Sequence, residues 1–85
     1  LGAEYKGKRI GNLSDMTIFS FHPVKHITTG EGGMITTNNK ELYEKLLLFR
    51  THGITRKREL FENADEGLWF YDQLCLGYNY RMTDI

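Results

Sequence analysis

The longest unbroken apolar run in this chain is four residues, Leu46 to Phe49, and it lies inside the one stretch with a clear helical period. Leu42, Leu46 and Phe49 share a face with Tyr43 and Leu47, and Glu41 stands four residues before Lys45, a favourable pair on a helix surface. Asn38 with Glu41 three residues on fits a capping box, and Gly53, following Arg50 and His52, is a stop signal. The pattern predicts a helix over 39–51. Its apolar run is far below the ~20 residues a membrane span needs.

The remaining elements are short. Lys6-Gly7 is expected as a turn between two small extended pieces. Met16 to Phe21 alternates β-branched and aromatic residues and reads as a strand, entered by a turn at Ser14-Asp15 and ended by His22-Pro23. Met34 to Thr37 reads as a second strand. Residues 54–73 have no steady period, and a surface excursion with a helical turn or two is expected there.

At 85 residues, with 40% hydrophobic content, the chain is one small domain or a piece of a larger one. It opens on Leu1-Gly2-Ala3 and closes on Met82-Thr83-Asp84-Ile85, where Thr83 reads as an N-cap and Ile85 as the first core-facing residue of a helix. The expectation is therefore an internal segment, 1–85, of a larger domain, with no second domain present. Eleven Lys and Arg balance eleven Asp and Glu, so no net field draws the chain to nucleic acid or to an anionic membrane. Arg56-Lys57-Arg58 is flanked by Glu59, Glu62, Asp65 and Glu66 and reads as one solvated face of mixed charge. The single cysteine, Cys75, can form neither an internal disulfide nor a zinc ribbon and reads as buried or half-buried filler; a cytoplasmic setting is the simplest expectation.

Most chemistry-bearing residues lie between the two strands, from Ser20 to Gly33. A hydroxyl stands at the end of a strand, a lysine follows five residues later, and a glycine cluster closes the loop. Ligands gather beyond the carboxyl ends of strands in α/β sheets, and glycines let backbone N–H groups approach an anion. Taken singly, Lys25 reads first as a solvated charge, Gly30-Glu31-Gly32-Gly33 as a tight turn, and Asp15 as a turn residue satisfying local backbone donors. His22 and His26 are four apart but separated by a proline that argues against one helix face, so no metal site is expected.

In order, however, these pieces resemble a family. Phe19-Ser20-Phe21-His22-Pro23-Val24-Lys25 through Gly33, then Thr36-Thr37-Asn38, is similar to the cofactor-lysine segment of the DegT family of pyridoxal-phosphate-dependent sugar-nucleotide aminotransferases. Leu1-Gly2-Ala3-Glu4-Tyr5, Arg50-Thr51-His52-Gly53 and Leu76 to Ile85 agree in order as well. Trp69-Phe70-Tyr71 leans the likeness toward the branch that aminates C4 of a UDP-linked 4-keto-6-deoxy-N-acetylhexosamine on the way to pseudaminic acid.

The resemblance implies an α/β fold: part of the large domain of a fold-type-I transferase, with two strands of a mainly parallel sheet and one covering helix. It implies pyridoxal 5'-phosphate as cofactor, an amino-acid donor (L-glutamate by expectation), a keto-sugar nucleotide as acceptor, and a homodimer with active sites shared between subunits. Lys25 matches the lysine that forms the internal aldimine, and Ser20 the hydroxyl that holds the cofactor phosphate. Asn79 matches an asparagine that reaches the phosphate in the neighbouring subunit's site. His52 and Tyr80 fall only loosely near the active site and receive no role. Attack by Lys25 needs a neutral amine, so burial is expected to favour it. The carboxylate that partners the pyridine nitrogen would precede Leu1. Some relatives carry histidine in place of the lysine and are sugar 3-dehydratases; the spacing Ser20-x-x-x-x-Lys25 favours amino transfer, with His26 the residue that a one-position shift would bring in. A segment without cofactor chemistry, serving as an interaction fragment, is the other alternative.

Overall fold

The computed structural model describes residues 1–57, 60 and 71–85. Their contacts divide the chain into two compact units, residues 1–43 with 81–85, and residues 44–80.

The first unit opens on an antiparallel hairpin of β1 (Glu4–Tyr5) and β2 (Lys8–Arg9), with Glu4 opposite Arg9 and Tyr5 opposite Lys8. The expected turn is there: Lys6 and Gly7 both take positive φ, 49° and 75°, the two-residue geometry whose twist matches its flanking strands. The second hairpin pairs β3 (Thr17–Ser20) with β4 (Gly33–Thr36), placing Ile18 opposite Ile35, Phe19 opposite Met34 and Ser20 opposite Gly33. Gly33 is required at that last pair, because a Cβ on it would stand 2.7 Å from the Phe19 carbonyl oxygen.

Both strands lie within a residue or two of where the pattern puts them, but they run antiparallel to each other. The connection between them folds straight back on Phe21 and contains no crossover helix, and a parallel pair needs such a crossover. An antiparallel pair is compatible with a mainly parallel sheet, since large α/β sheets often carry one reversed strand. Each face of this hairpin bears apolar side chains, as in a sheet meant to be covered on both sides, and Ile18 remains 77% exposed. Phe21, at 8% exposure, is the buried apolar side chain among the described residues.

Hydroxyls tie the flanking loop to the hairpin. Thr36 Oγ1 donates to the Gly11 carbonyl at 2.9 Å, and Thr37 Oγ1 to that of Asp15 at 2.6 Å. Asp15 thus takes part through its backbone acceptor. At the other end of this unit, Thr83 donates its hydroxyl to the Thr29 carbonyl.

Helix α1 spans Lys40–Phe49. Its cap is Asn39, one residue later than the capping box suggests: Asn39 Oδ1 accepts from the Leu42 N–H at 3.1 Å. Thr37 Oγ1 accepts from the Asn39 N–H, while the Asn38 side-chain amide is engaged with that of Asn12. The helix stops short of 51 because the chain turns left-handed at His52 (φ 59°) and Gly53 (φ 69°), and the Gly53 N–H reaches back to the Leu48 carbonyl at 3.0 Å. Leu42, Leu46 and Leu48 are half-buried, whereas Tyr43, Leu47 and Phe49, expected on the apolar face, stay exposed.

In the second unit, β5 (Ile54–Thr55) pairs antiparallel with β6 (Asp72–Gln73). The ends of the expected irregular excursion are therefore strands, since Ile54 and Thr55 find backbone partners nineteen and seventeen positions along the chain that no local pattern signals. Leu60 N–H donates to the Lys57 carbonyl at 3.0 Å. Residues 58–59 and 61–70, with Trp69, Phe70 and most of the mixed-charge stretch, lie outside the described residues. Cys75 is half-buried.

Candidate active site

The loop from Phe21 to Gly32 is held by a small set of backbone and hydroxyl bonds. At its neck, the Phe21 N–H donates to the Gly32 carbonyl at 2.8 Å, and the Phe21 carbonyl accepts from the Thr29 N–H at 3.1 Å and the Thr28 hydroxyl at 2.6 Å. At its near end, Lys25 N–H donates to the His22 carbonyl at 3.0 Å, a turn whose second residue is Pro23, where proline's fixed φ favours that geometry. The glycines let the return limb pass: Gly30 has φ 82°, and a Cβ on Gly32 would lie 2.6 Å from Thr29 Oγ1.

Ser20 ends β3, and the pleat puts it on the face of Ile18. Its Oγ accepts from the His22 N–H at 3.4 Å. Ser20, Lys25 and His26 all line one open cavity of ≈ 280 Å³, whose apolar wall includes Ile18, Phe21 and Leu1. Two of the three residues singled out in the sequence thus meet on one cavity. Lys25 is exposed, so the burial expected to favour a neutral amine is not supplied by the described residues. None of the residues lining the cavity is a carboxylate, and among the described residues no group of three or more His, Cys, Asp or Glu could hold a metal ion.

Asn79 belongs to the second unit. Its backbone bridges antiparallel to Thr51, flanked by bonds from His52 N–H to the Tyr78 carbonyl at 2.9 Å and from Tyr80 N–H to the Arg50 carbonyl at 2.8 Å. Asn79 itself is exposed, on a strand-like segment pinned from both sides. His52 contributes its carbonyl, which accepts from Gln73 Nε2 at 2.9 Å, and Tyr80 meets Tyr78 edge-on. Sequence reasoning passed over Thr28. Its signal was available only as a hydroxyl two residues before a glycine, a pattern too common to single out.

The sequence matches the DegT/DnrJ/EryC1/StrS aminotransferase family over residues 1–85. The chain belongs to this family. It is 54% identical, over 85 residues, to the UDP-4-amino-4,6-dideoxy-N-acetyl-beta-L-altrosamine transaminase of Campylobacter jejuni strain 81-176, covering all of this chain and 20% of that protein. Among solved structures, Helicobacter pylori PseC, an aminotransferase involved in the biosynthesis of pseudoaminic acid, superposes with a TM-score of 0.77 at 38% identity over 96% of this chain and 20% of its own. Spr1654 from Streptococcus pneumoniae, solved in a PLP-form, gives 0.68 at 36% identity over 94% of this chain and 19% of its own. The chain thus spans about a fifth of the length of the relatives it matches. Its fold class is that of the family's fold-type-I enzymes. No helix among the described residues is long and apolar enough to cross a membrane.

Proposed function

We propose that these residues are a segment, 1–85, of the large domain of a pyridoxal-phosphate-dependent aminotransferase that moves an amino group from an amino acid to a 4-keto-6-deoxy sugar nucleotide. The observation that carries this reading is the meeting of Ser20 and Lys25 on one cavity at the end of β3, in a chain of this family. L-Glutamate is the donor and the cytoplasm the setting in this reading.

The donor set fits the cofactor. Ser20 supplies a hydroxyl that can donate to a phosphate oxygen, Lys25 a primary amine that can join an aldehyde carbon, and Ile18 and Phe21 an apolar wall for a planar ring. Pyridoxal phosphate, when bound, supplies that aldehyde and a ring that draws electrons from the substrate's α-carbon. Lys25 Nζ would be the group that holds the cofactor's aldehyde carbon, and its free amine would be placed to move a proton at the amino donor's α-carbon. Ser20 Oγ anchors the phosphate, so that the reacting carbon stays within reach of Nζ. Leu1 lines the same cavity, which supports placing the pyridine-nitrogen carboxylate a few residues before it in the parent protein. Asn79 acts across a homodimer interface on the phosphate of the neighbouring site, so that neither subunit completes a site alone. The exposed apolar faces of the β3–β4 hairpin support the reading as part of a larger domain.

Borohydride reduction of the full-length protein with pyridoxal phosphate, followed by peptide mass mapping, tests this. A pyridoxyl mass on Lys25 is expected. Bound cofactor with Lys25 unmodified would turn the reading toward a dehydratase using His26, which lines the same cavity. No bound cofactor would overturn both.

A further inference from the structure

We propose that Thr28 is a positioning residue for Lys25, acting through a two-way hydroxyl clamp at the neck of the loop; this rests on the assignment of Lys25 as the reacting amine. The Thr28 hydroxyl donates to the Phe21 carbonyl at 2.6 Å and accepts from the Gly30 N–H at 2.9 Å. One side chain therefore ties the outgoing limb of the loop to the returning one. Phe21 is the point to tie to, because it is 8% exposed and directly follows Ser20.

The geometry has a direct consequence for Lys25. Its backbone is fixed to His22 by the turn bond at 3.0 Å, and His22 in turn donates to Ser20 Oγ. The residues from His22 to Ile27 leave Phe21 and must return to it within one short excursion, so the point of return sets where Lys25 stands relative to Ser20. Two donors meet the Phe21 carbonyl there, Thr29 N–H and Thr28 Oγ1. Only the hydroxyl also satisfies the Gly30 N–H, at the residue whose φ of 82° turns the chain toward β4. Valine has the shape of threonine but neither donates nor accepts; serine does both with one methyl fewer.

The test compares full-length wild-type, Thr28→Val and Thr28→Ser proteins in two measurements. In the cofactor-free protein, hydrogen exchange of peptides covering residues 21–32 is expected to quicken about fivefold in the valine variant, with peptides from α1 unchanged, and to return toward wild type in the serine variant. With limiting pyridoxal phosphate, the fraction of Lys25 trapped by borohydride is expected to fall in valine and recover in serine. Unchanged loop exchange in Thr28→Val, or a serine variant no better than valine in either measurement, would overturn the clamp. Failure of the wild-type protein to take a pyridoxyl mass would instead overturn the aminotransferase reading, and the exchange comparison would still decide the clamp.

Discussion

Gly53 lies against the backbone of Cys75: a Cβ on Gly53 would overlap the Cys75 carbonyl oxygen and stand 2.8 Å from its carbonyl carbon. The same residue has φ 69°, and its carbonyl accepts from the Leu74 N–H at 2.9 Å. Gly53→Ala in the full-length protein is expected to lower stability by roughly 2–4 kcal/mol, combining left-handed strain with a backbone clash that no side-chain rotation relieves. Thermal or urea unfolding checks it, and a loss under about 1 kcal/mol would mean that the segment 74–77 moves aside.

The start of α1 gives a second stability prediction. Asn39→Ala is expected to cost about 1 kcal/mol, by removing the acceptor for the Leu42 N–H, and Asn39→Asp to recover it. Equal unfolding midpoints for wild type and Asn39→Ala would return the cap to Asn38.

For the chemistry, Lys25→Ala in the full-length enzyme is expected to abolish the borohydride-trapped adduct and to lower amino transfer by roughly 10²–10⁴-fold or more. A variant that turns over normally would remove Lys25 from the reaction.

Ser20→Ala keeps Lys25 and should keep the adduct, while weakening the cofactor's hold by about 1.5–3 kcal/mol, the value of a hydrogen bond to a charged acceptor. Titration of the cofactor-free protein, followed by visible absorbance, reads this directly. Unaltered affinity would mean that Ser20 Oγ serves only to receive the His22 N–H.

Shared sites make a prediction by mixing. Lys25→Ala and Asn79→Ala proteins, each weakly active alone, are expected to regain up to about a quarter of wild-type activity when their subunits are exchanged. Half the dimers then carry both changes on opposite chains, and each such dimer holds one intact site. No regain after confirmed exchange would place Asn79 outside the partner's site.

The local elements were legible in the residues themselves. Lys6-Gly7 reads as a turn because a two-residue hairpin needs positive φ, and β3 and the body of α1 follow from periods of two and 3.6, which are local properties of the backbone. The order Ser20, Lys25 and glycine cluster was visible too, and with it the family. Tertiary structure alone decided the rest. The direction of β4 against β3 depends on where Phe21 finds its partners, Gly32 and Thr29, and no strand period carries that information. Asn39 displaces Asn38 as the cap because Asn12, far back in the chain, engages the Asn38 side chain. The pairing of β5 with β6 and the seat of Asn79 beside Thr51 join residues distant in sequence. So does the contact that demands glycine at position 53. Thr28 gains its place for the same reason: a hydroxyl becomes a clamp only when folding brings a carbonyl seven residues earlier within 2.6 Å of it.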